Sequence, residues 1–276
     1  MYQALYRKWR PKVFSDVIGQ EHITETLKKQ VAEGRTSHAY LFTGTRGTGK
    51  TTCAKILAKA VNCEHPVNGD PCCQCPSCLG LESGSFLDVL ELDAASNNGV
   101  DQVRALRDEA IYAPANVKKR VYIVDEVHML STAAFNALLK TLEEPPENTW
   151  FFLACEEPAR LLTTLRSRCR LHHLAPPSEP YALAWLEREV SLPQESLLTA
   201  LRLCASAPAA ALELLQEPLW TARQQLCQAL AATLASGDWL ALLPILNHEQ
   251  AAVRLHWLAS LLVDAQKRPQ GITLVS

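Results

Sequence analysis

The chain has 276 residues, of which 48% are apolar and 20% are charged, and this composition excludes a disordered, collagen-like or mucin-like protein. Lysine and arginine number 27 against 29 aspartate and glutamate residues, so the net charge of −2 excludes a basic field over the whole molecule. The length predicts two domains, or three if one of them is small.

The sequence shows no sign of export or membrane insertion. Its first ten residues are basic but precede no apolar segment, and no run of 18 apolar residues occurs without a charge. We therefore expect a cytoplasmic protein. In a reducing compartment the ten cysteines favour metal ligands and buried thiols over disulfides.

The first predicted element is a short apolar strand at residues 38–43, which a glycine-rich turn connects to a helix at 51–61. The turn, residues 44–51, reads GTRGTGKT and fits the phosphate-binding loop. In such a loop, glycines allow backbone N–H groups to face phosphates at the start of a helix. A glycine turn that binds nothing is the alternative, and the flanking strand and helix argue against it.

Each side chain of the loop has an expected role. Lys50 is expected to hold the β- and γ-phosphates, and Thr51 to give its hydroxyl to Mg²⁺. The predicted phosphate-binding residues are Gly44, Thr45, Arg46, Gly47, Thr48, Gly49, Lys50, Thr51 and Thr52.

Four cysteines follow that helix in the pattern C-x8-C-x2-C-x2-C, namely Cys63, Cys72, Cys75 and Cys78. Four thiolates fill a tetrahedral shell and leave no open position, so the pattern predicts a structural rather than a catalytic Zn²⁺ site. Cys73 is predicted to be a free thiol. A cluster without metal is the alternative.

Strands and helices alternate through the next stretch of chain. The predicted strands are 88–92, 121–124 and 150–154, and the predicted helices are 100–110, behind a cap at Asn98, and 131–142. This alternation predicts an α/β domain with a parallel sheet that helices cover on both faces.

The strand at 121–124 ends on two carboxylates. Asp125 is expected beside the Mg²⁺, and Glu126 where it can polarise an attacking water. A solvated acidic turn is the alternative, and it becomes less plausible once the loop at Lys50 is accepted. Adenine is the expected base, because the chain contains no Asn-Lys-x-Asp motif of the type that reads guanine.

The rest of the chain is predicted to be helical. A helix-like stretch at 158–165 precedes Arg168, which the residues alone suggest is a surface ion-pair partner. After Pro176-Pro177 the apolar residues keep helical spacing, and breaks at Gly237 and Asn247 predict a helical bundle.

Together these motifs resemble the AAA+ subunits of the bacterial DNA polymerase III clamp loader. Residues 1–148 resemble the gamma/tau subunit and residues 149–276 resemble the delta-prime subunit, so the chain reads as a hybrid. The segments that carry the resemblance are 5–11, 17–20, 44–51, the four-cysteine insert, 93–98, 125–130 and 136–146, and then 149–155, 166–172 and 247–258.

The resemblance implies three domains. They are an AAA+ nucleotide-binding domain at 1–173 with a zinc-binding insert at 62–80, a small helical lid at 174–208, and a truncated helical collar at 209–276. The expected partners are other clamp-loader subunits, a sliding clamp and primer–template DNA, with no membrane. A collar shorter than that of the family predicts difficulty in forming the five-subunit assembly.

The resemblance also implies site roles. Glu126 and Lys50 would be catalytic in the chain's own site, and Arg168 would reach the ATP of a neighbouring subunit. Arg7, Pro11 and Ile18 would lie against the adenine.

Two departures from the gamma/tau pattern predict ATP binding with weak hydrolysis. Cys155-Glu156 stands where the family has a threonine as first sensor, and Ala209 stands where it has an arginine as second sensor. The alternative is a non-hydrolysing, delta-prime-like structural subunit that supplies Arg168. An unrelated phosphate-loop enzyme such as a helicase is a third hypothesis, for which the chain shows no substrate motif.

Overall fold

The computed structural model describes residues 11–247 and 251–267, with side chains up to residue 263. The chain divides into two compact units, Met1–Pro176 and Pro177–Ser276. The division falls between two prolines. Proline disfavours the helical conformation of the residue that precedes it. The parallel sheet of the first unit and the helices of the second are therefore separated at this point of the chain.

The first unit contains a five-stranded parallel sheet with the strand order β2-β3-β4-β1-β5. The strands are β1 (Ala39–Thr43), β2 (Val89–Asp93), β3 (Arg120–Asp125), β4 (Thr149–Cys155) and β5 (Arg170–His173). The parallel sheet predicted from the alternation of strands and helices is confirmed.

Helices pack on both faces of this sheet. The helices of this unit are α1 (Glu21–Ala32), α2 (Lys50–Asn62), α3 (Pro76–Ser83), α4 (Val100–Ala110), α5 (Thr132–Glu143) and α6 (Thr163–Arg168), of which α3 packs against α2 beside the cysteine cluster. Short 3₁₀ turns lie at Phe14–Asp16, Val127–Met129 and Pro158–Arg160. One apolar cluster joins the sheet to α1 and α2, and another joins it to α4 and α5.

The central strand β1 shows why helices must cover both faces of the sheet. All five of its residues are buried, and successive side chains of a strand point to opposite faces. Leu41 belongs to the cluster under α4 and α5, whereas Tyr40 and Phe42 belong to the cluster under α1 and α2. A continuous apolar run of this kind is typical of a parallel strand that is covered on both sides.

Three local predictions are wrong. The edge strand β5 was not predicted, because its residues are mostly exposed and its sequence, RLHH, lacks an apolar run. The helix α4 begins after Gly99 with no side-chain cap, so Asn98 does not cap it. The stretch predicted as one helix at 158–165 forms a 3₁₀ turn and then α6, with the break at Leu161 and Leu162.

The second unit is helical throughout its described residues, as predicted. Its helices are α7 (Glu179–Glu189), α8 (Gln194–Leu203), α9 (Pro208–Leu214), α10 (Leu219–Ser236), α11 (Leu243–Leu246) and α12 (Ala251–Lys267), with a 3₁₀ turn at Trp239–Leu242. Leu186, Leu201 and Leu226 are fully buried in its core. The predicted break at Gly237 is confirmed, since this residue ends α10 in the left-handed conformation.

Within the described ranges, no single helix is both long and apolar enough to cross a membrane. The bent pair α8 and α9, which turns by 115°, meets the criterion only when its two helices are taken together, on length and composition.

Candidate functional site

The predicted phosphate-binding loop lies at the carboxyl ends of the two central strands. It follows β1, and β1 pairs with β4 in parallel. After β1 the chain passes β4 and β3 to reach the β2 edge, and after β4 it passes β1 to reach β5, so the two connections run in opposite directions across the sheet. In open parallel sheets ligands bind outside the carboxyl ends of the strands, where this loop lies.

Three glycines of the loop adopt backbone angles that favour glycine. Gly44, Gly47 and Gly49 have φ values of 150°, 81° and 95°. A Cβ on Gly44 would lie 2.2 Å from the carbonyl oxygen of Leu174. Gly49 is the N-cap of α2 and contributes no side-chain cap, so the N–H groups of the first turn of α2 are left for an acceptor from outside the helix.

Lys50 is buried at the start of α2, and its ammonium group has three partners. Nζ donates to the carbonyl oxygens of Gly44 and Thr45, both at 3.0 Å, and to Oε1 of Glu156 at 3.3 Å. These bonds use all three hydrogens of the ammonium group. Glu156, which follows β4, was not predicted to face Lys50, because 106 residues separate the two.

The other predicted loop residues line the same turn. Thr48 is buried and donates through Oγ1 to the carbonyl oxygen of Thr45 at 2.8 Å. Arg46 is exposed, and Thr52 is half-buried on the first turn of α2. The loop therefore presents backbone groups and few side chains of its own.

The two residues predicted to hold Mg²⁺ are in direct contact. Thr51 donates through Oγ1 to Oδ2 of Asp125 at 2.7 Å, which joins the first turn of α2 to the end of β3. Oδ1 of the same carboxylate accepts the backbone N–H of Glu126 at 3.0 Å. A hydroxyl and a carboxylate oxygen side by side are ligands that Mg²⁺ prefers.

Glu126 occupies a constrained position beside Asp125. Its φ of 48° is left-handed, which is unusual for a residue other than glycine. Its Oε2 is buried without a hydrogen-bond partner and lies 3.3 Å from Nδ1 of His128. Burial and the nearby charge of Glu156 raise the pKa of Glu126 to about 7. Its carboxyl group therefore accepts a proton near neutral pH.

Cys155, which the resemblance predicts at the first-sensor position, is a fully buried thiol. Burial raises its pKa to about 11, so it is neutral at physiological pH. Its carbonyl oxygen accepts the N–H of Gly44 at 3.3 Å and ties β4 to the loop. Cys155 contributes packing and a backbone contact at this position, and its neighbour Glu156 contributes the charge.

The predicted adenine contacts are only partly placed. Arg7 lies outside the described residues. Pro11 and Ile18 are half-buried, and neighbouring Val17 lies beside the loop, since its Cγ1 is 4.0 Å from the position of a Cβ on Gly49. The segment that contains Ile18 therefore borders the phosphate loop.

Arg168 ends α6, away from the loop residues just described. It donates to the carbonyl oxygen of Thr164 at 2.7 Å and to Oε1 of Glu143 at 2.5 Å. Its side chain is 31% exposed. The ion pair predicted from the residues alone is confirmed. To act on the nucleotide of a neighbouring subunit, Arg168 would have to release Glu143 and bind the phosphate in its place.

The four predicted zinc ligands converge. The sulfur atoms of Cys63, Cys72, Cys75 and Cys78 all lie within 4.8 Å of one another, and two of the pairs are separated by 4.0 Å. A tetrahedral zinc shell with Zn–S bonds of about 2.3 Å needs sulfur separations of about 3.8 Å. The thiols therefore fit zinc with little movement.

Backbone N–H groups point at these sulfur atoms. The amides of Cys72, Cys75 and Cys78 donate to the sulfurs of Cys63, Cys72 and Cys75 at 3.3, 3.3 and 3.4 Å. Such bonds favour thiolate over thiol, and the amides of Gln74 and Cys75 lower the pKa of Cys72 to about 6. Cys73 is separate, with its sulfur 3.8 Å from the carbonyl oxygen of Lys12.

The insert that carries the cysteines is fastened to the rest of the first unit by Asp70. Its carboxylate accepts from the N–H of Phe14 at 2.6 Å and from Oγ of Ser15 at 2.7 Å, and it lies 3.5 Å from Nζ of Lys28. Gly69 approaches so closely that a Cβ would lie 2.1 Å from the carbonyl oxygen of Lys28. No sequence motif predicts this role for Asp70.

Three family models together match most of the chain. Residues 19–178 match "DNA polymerase III, delta subunit", and residues 177–216 match "DNA polymerase III subunit delta', AAA+ ATPase lid domain". Residues 217–275 match "DNA polymerase III, delta subunit, C terminal".

Curated relatives are of two kinds, as the hybrid pattern predicts. The tau subunit of DNA polymerase III from Bacillus subtilis is 60% identical over 169 residues, which cover 61% of this chain and 30% of that protein. The delta' subunit from Escherichia coli is 48% identical over 256 residues, which cover 91% of this chain and 76% of that protein. The chain thus spans less than a third of the tau subunit and about three quarters of the delta' subunit.

A solved structure of RuvB from Thermotoga maritima has the same fold. It is 16% identical, with a TM-score of 0.53, and the match covers 81% of this chain and 68% of that one. Together with the parallel sheet and the match to the lid model, this likeness confirms the AAA+ fold.

Proposed function

We propose that this chain, which belongs to the family of DNA polymerase III delta and delta-prime subunits, is a clamp-loader subunit that binds ATP with Mg²⁺ at its phosphate-binding loop. One observation carries the proposal. The uncapped start of α2, the ammonium group of Lys50 and the Thr51–Asp125 pair converge at the carboxyl ends of the central strands.

The residues of this site have separate tasks. Backbone N–H groups at the start of α2 would donate to the phosphate oxygens, and Lys50 would neutralise the phosphate charge. Thr51 and Asp125 would hold Mg²⁺, which when bound supplies positive charge to the phosphate oxygens. Glu126 would orient an attacking water and take up its proton, a task that suits a carboxylate with a pKa of about 7.

Hydrolysis is expected to be weak in the isolated chain. Cys155 is buried and neutral, so it offers little to a water or a terminal phosphate. Ala209 has no cationic group with which to act as second sensor. Phosphate-contacting cations can account for several powers of ten in the rate of phosphoryl transfer.

A second candidate function is a non-hydrolysing subunit that serves its neighbours. The delta' relative covers 91% of this chain, and the paired, partly exposed Arg168 could reach a phosphate held by another subunit. Under this alternative the chain supplies Arg168 in trans and its own loop remains silent.

Calorimetric titration with a non-hydrolysable ATP analogue and Mg²⁺ tests the main proposal. We expect saturable binding that Lys50→Ala abolishes, and a folded chain that ignores millimolar nucleotide would contradict it. For the alternative, the double variant Cys155→Thr with Ala209→Arg should create turnover in a chain that otherwise shows none. Appreciable turnover before these changes, lost in Lys50→Ala, would instead favour a working motor.

The four-cysteine cluster is proposed to hold one structural Zn²⁺. The sulfur separations and the three N–H···S bonds support a thiolate site without an open position. Partners are proposed to be other clamp-loader subunits, a sliding clamp and primed DNA. We propose that the second unit contains the lid predicted at 174–208 and the collar predicted at 209–276. The match of the lid model to residues 177–216 supports extending the lid through α9, which leaves α10 to α12 for the collar.

A further inference from the structure

Glu156 is the only carboxylate among the three partners of Lys50 Nζ, since the other two are the neutral carbonyls of Gly44 and Thr45. The Lys50 side chain is 5% exposed, whereas the Glu156 side chain is 31% exposed. The positive charge of Lys50 is therefore balanced within the site by the carboxylate of Glu156, a partly exposed side chain that can rotate toward solvent.

A terminal phosphate and Glu156 need the same hydrogens. All three donors of Lys50 are in use, so a phosphate oxygen can bond to Nζ only by displacing a partner. In phosphate-binding loops this lysine reaches the β- and γ-phosphates. A diphosphate brings only its β-phosphate to Lys50, whereas a triphosphate brings two phosphates to the same ammonium group and so competes more strongly with the carboxylate.

The surrounding charge adds to this competition. Asp125, Glu126 and Glu156 place three carboxyl groups around one ammonium group, and Glu156 contributes to the raised pKa of Glu126. A γ-phosphate brings additional negative charge into that field, and like charges repel strongly in a partly buried site. Electrostatic repulsion therefore weakens the binding of a triphosphate more than the binding of a diphosphate.

We propose that Glu156 is a specificity-determining residue that makes the loop favour nucleoside diphosphate over triphosphate, because its carboxylate holds Lys50 Nζ where the γ-phosphate has to bind. This inference rests on the proposed nucleotide site and goes beyond it.

The test measures two affinities in the full chain. ADP and a non-hydrolysable ATP analogue, each with Mg²⁺, are titrated calorimetrically into the unaltered protein and into Glu156→Gln. We expect the dissociation constant of the analogue to fall about tenfold and that of ADP by less than about threefold, the size of effect that one partly screened charge produces. Glu156→Ser provides a second neutral variant if glutamine lowers the melting temperature.

Glu157→Gln is the matched control. Its carboxylate is one residue away but faces Arg160 at 3.5 Å and His128 at 3.7 Å, and it is 57% exposed. This variant should leave both affinities within about twofold of the unaltered protein.

The possible failures are distinguishable. Equal changes for ADP and the analogue, or no change, would overturn the role of Glu156 and leave the nucleotide site intact, provided that Lys50→Ala still abolishes binding of both. If neither the unaltered protein nor Glu156→Gln binds either nucleotide, the proposed function and this inference fail together.

Discussion

Gly44 connects the end of β1 to the phosphate loop at a place where no side chain fits. Its φ is 150°, and the carbonyl oxygen of Leu174 lies 2.2 Å from where a Cβ would be. Because that neighbour is backbone, it cannot rotate away as a side chain would. The hydrogen side chain of Gly44 is therefore needed for the loop and the segment after β5 to pass each other.

Gly44→Ala should destabilise the first unit and abolish nucleotide binding. We expect a loss of more than about 2 kcal/mol in the free energy of unfolding, from the backbone strain and the clash together. Urea denaturation followed by circular dichroism measures it.

Gly34→Ala is the matched control for that prediction. Its φ is also positive, at 65°, but nothing lies within 4 Å of the added Cβ. We expect a cost of about 1 kcal/mol from the left-handed backbone alone. Equal losses for the two variants would mean that contact with Leu174 does not constrain the loop.

His172 is half-buried, and its imidazole packs against two aromatic rings of β1. Its ring centroid lies 5.9 Å from that of Tyr40 and 5.9 Å from that of Phe42, with small interplanar angles. Burial, with the positive charge of Arg170, lowers the pKa of His172 to about 4 from an ordinary 6.5. The folded protein therefore favours the neutral imidazole.

This lowered pKa predicts acid sensitivity. The stabilisation is fully present above pH 6.5 and is lost as the pH falls from 6.5 to about 4, because the unfolded chain takes up the proton first. The loss is about 3 kcal/mol. In His172→Phe, which keeps an aromatic ring, this part of the pH dependence should disappear.

Chemical denaturation at a series of pH values checks that expectation. His65→Gln, a change at an exposed histidine, should leave the acid-side loss unchanged. If the free energy of unfolding of His172→Phe fell between pH 6.5 and 4 as much as that of the unaltered protein, His172 would not be the source of the acid sensitivity.

At the scale of single elements, the insert between α2 and β2 depends on its sulfur cluster. The helix α3 begins at Pro76 inside this insert, and its N-cap Cys75 accepts the N–H of Cys78 through its own sulfur. The start of α3 and the proposed metal site are thus the same group of atoms. Removal of one ligand should also disturb the helix.

Cys78→Ser should abolish the binding of one zinc per chain and lower the melting temperature by at least several degrees, since the energy of metal binding contributes to folding. Metal analysis and thermal melting check both effects. Cys73→Ser should retain zinc and melt like the unaltered protein, because its sulfur lies outside the cluster. A zinc content of zero in the unaltered protein would refute the site.

The elements were predictable where a pattern is local. Periodic apolar residues and a glycine-rich turn suffice for β1 and α2, and the predicted bounds of α4 match the structure. The edge strand β5 has no such pattern, since pairing with β1 rather than its own composition makes it a strand. The Lys50–Glu156 contact likewise depends on β1 and β4 being neighbours, which no short stretch of sequence encodes.

At the scale of the whole molecule, the two units have separate cores. One contains the sheet, the phosphate loop and the cysteine cluster, and the other contains only helices among its described residues. Ligands stabilise the part of a protein that they bind. The units should therefore respond differently to loss of metal.

Treatment with a zinc chelator should lower the melting transition of the first unit by several degrees and leave that of the second within about one degree. Four of the six tryptophans, Trp185, Trp220, Trp239 and Trp257, lie in the second unit, so tryptophan fluorescence reports mainly on it. Circular dichroism reports on both units. Coincident shifts by the two probes would show that the units unfold as one.

The contact that Asp70 makes with Phe14 has a consequence for anyone who wishes to shorten this chain. The carboxylate sits inside the cysteine insert, yet it accepts the amide of a fully buried phenylalanine that precedes Val17 and the phosphate loop. Excising the insert and rejoining the ends would leave that amide without its acceptor. A shortened protein would therefore need a replacement carboxylate beside the amide of Phe14, as well as a new connection across the deleted insert.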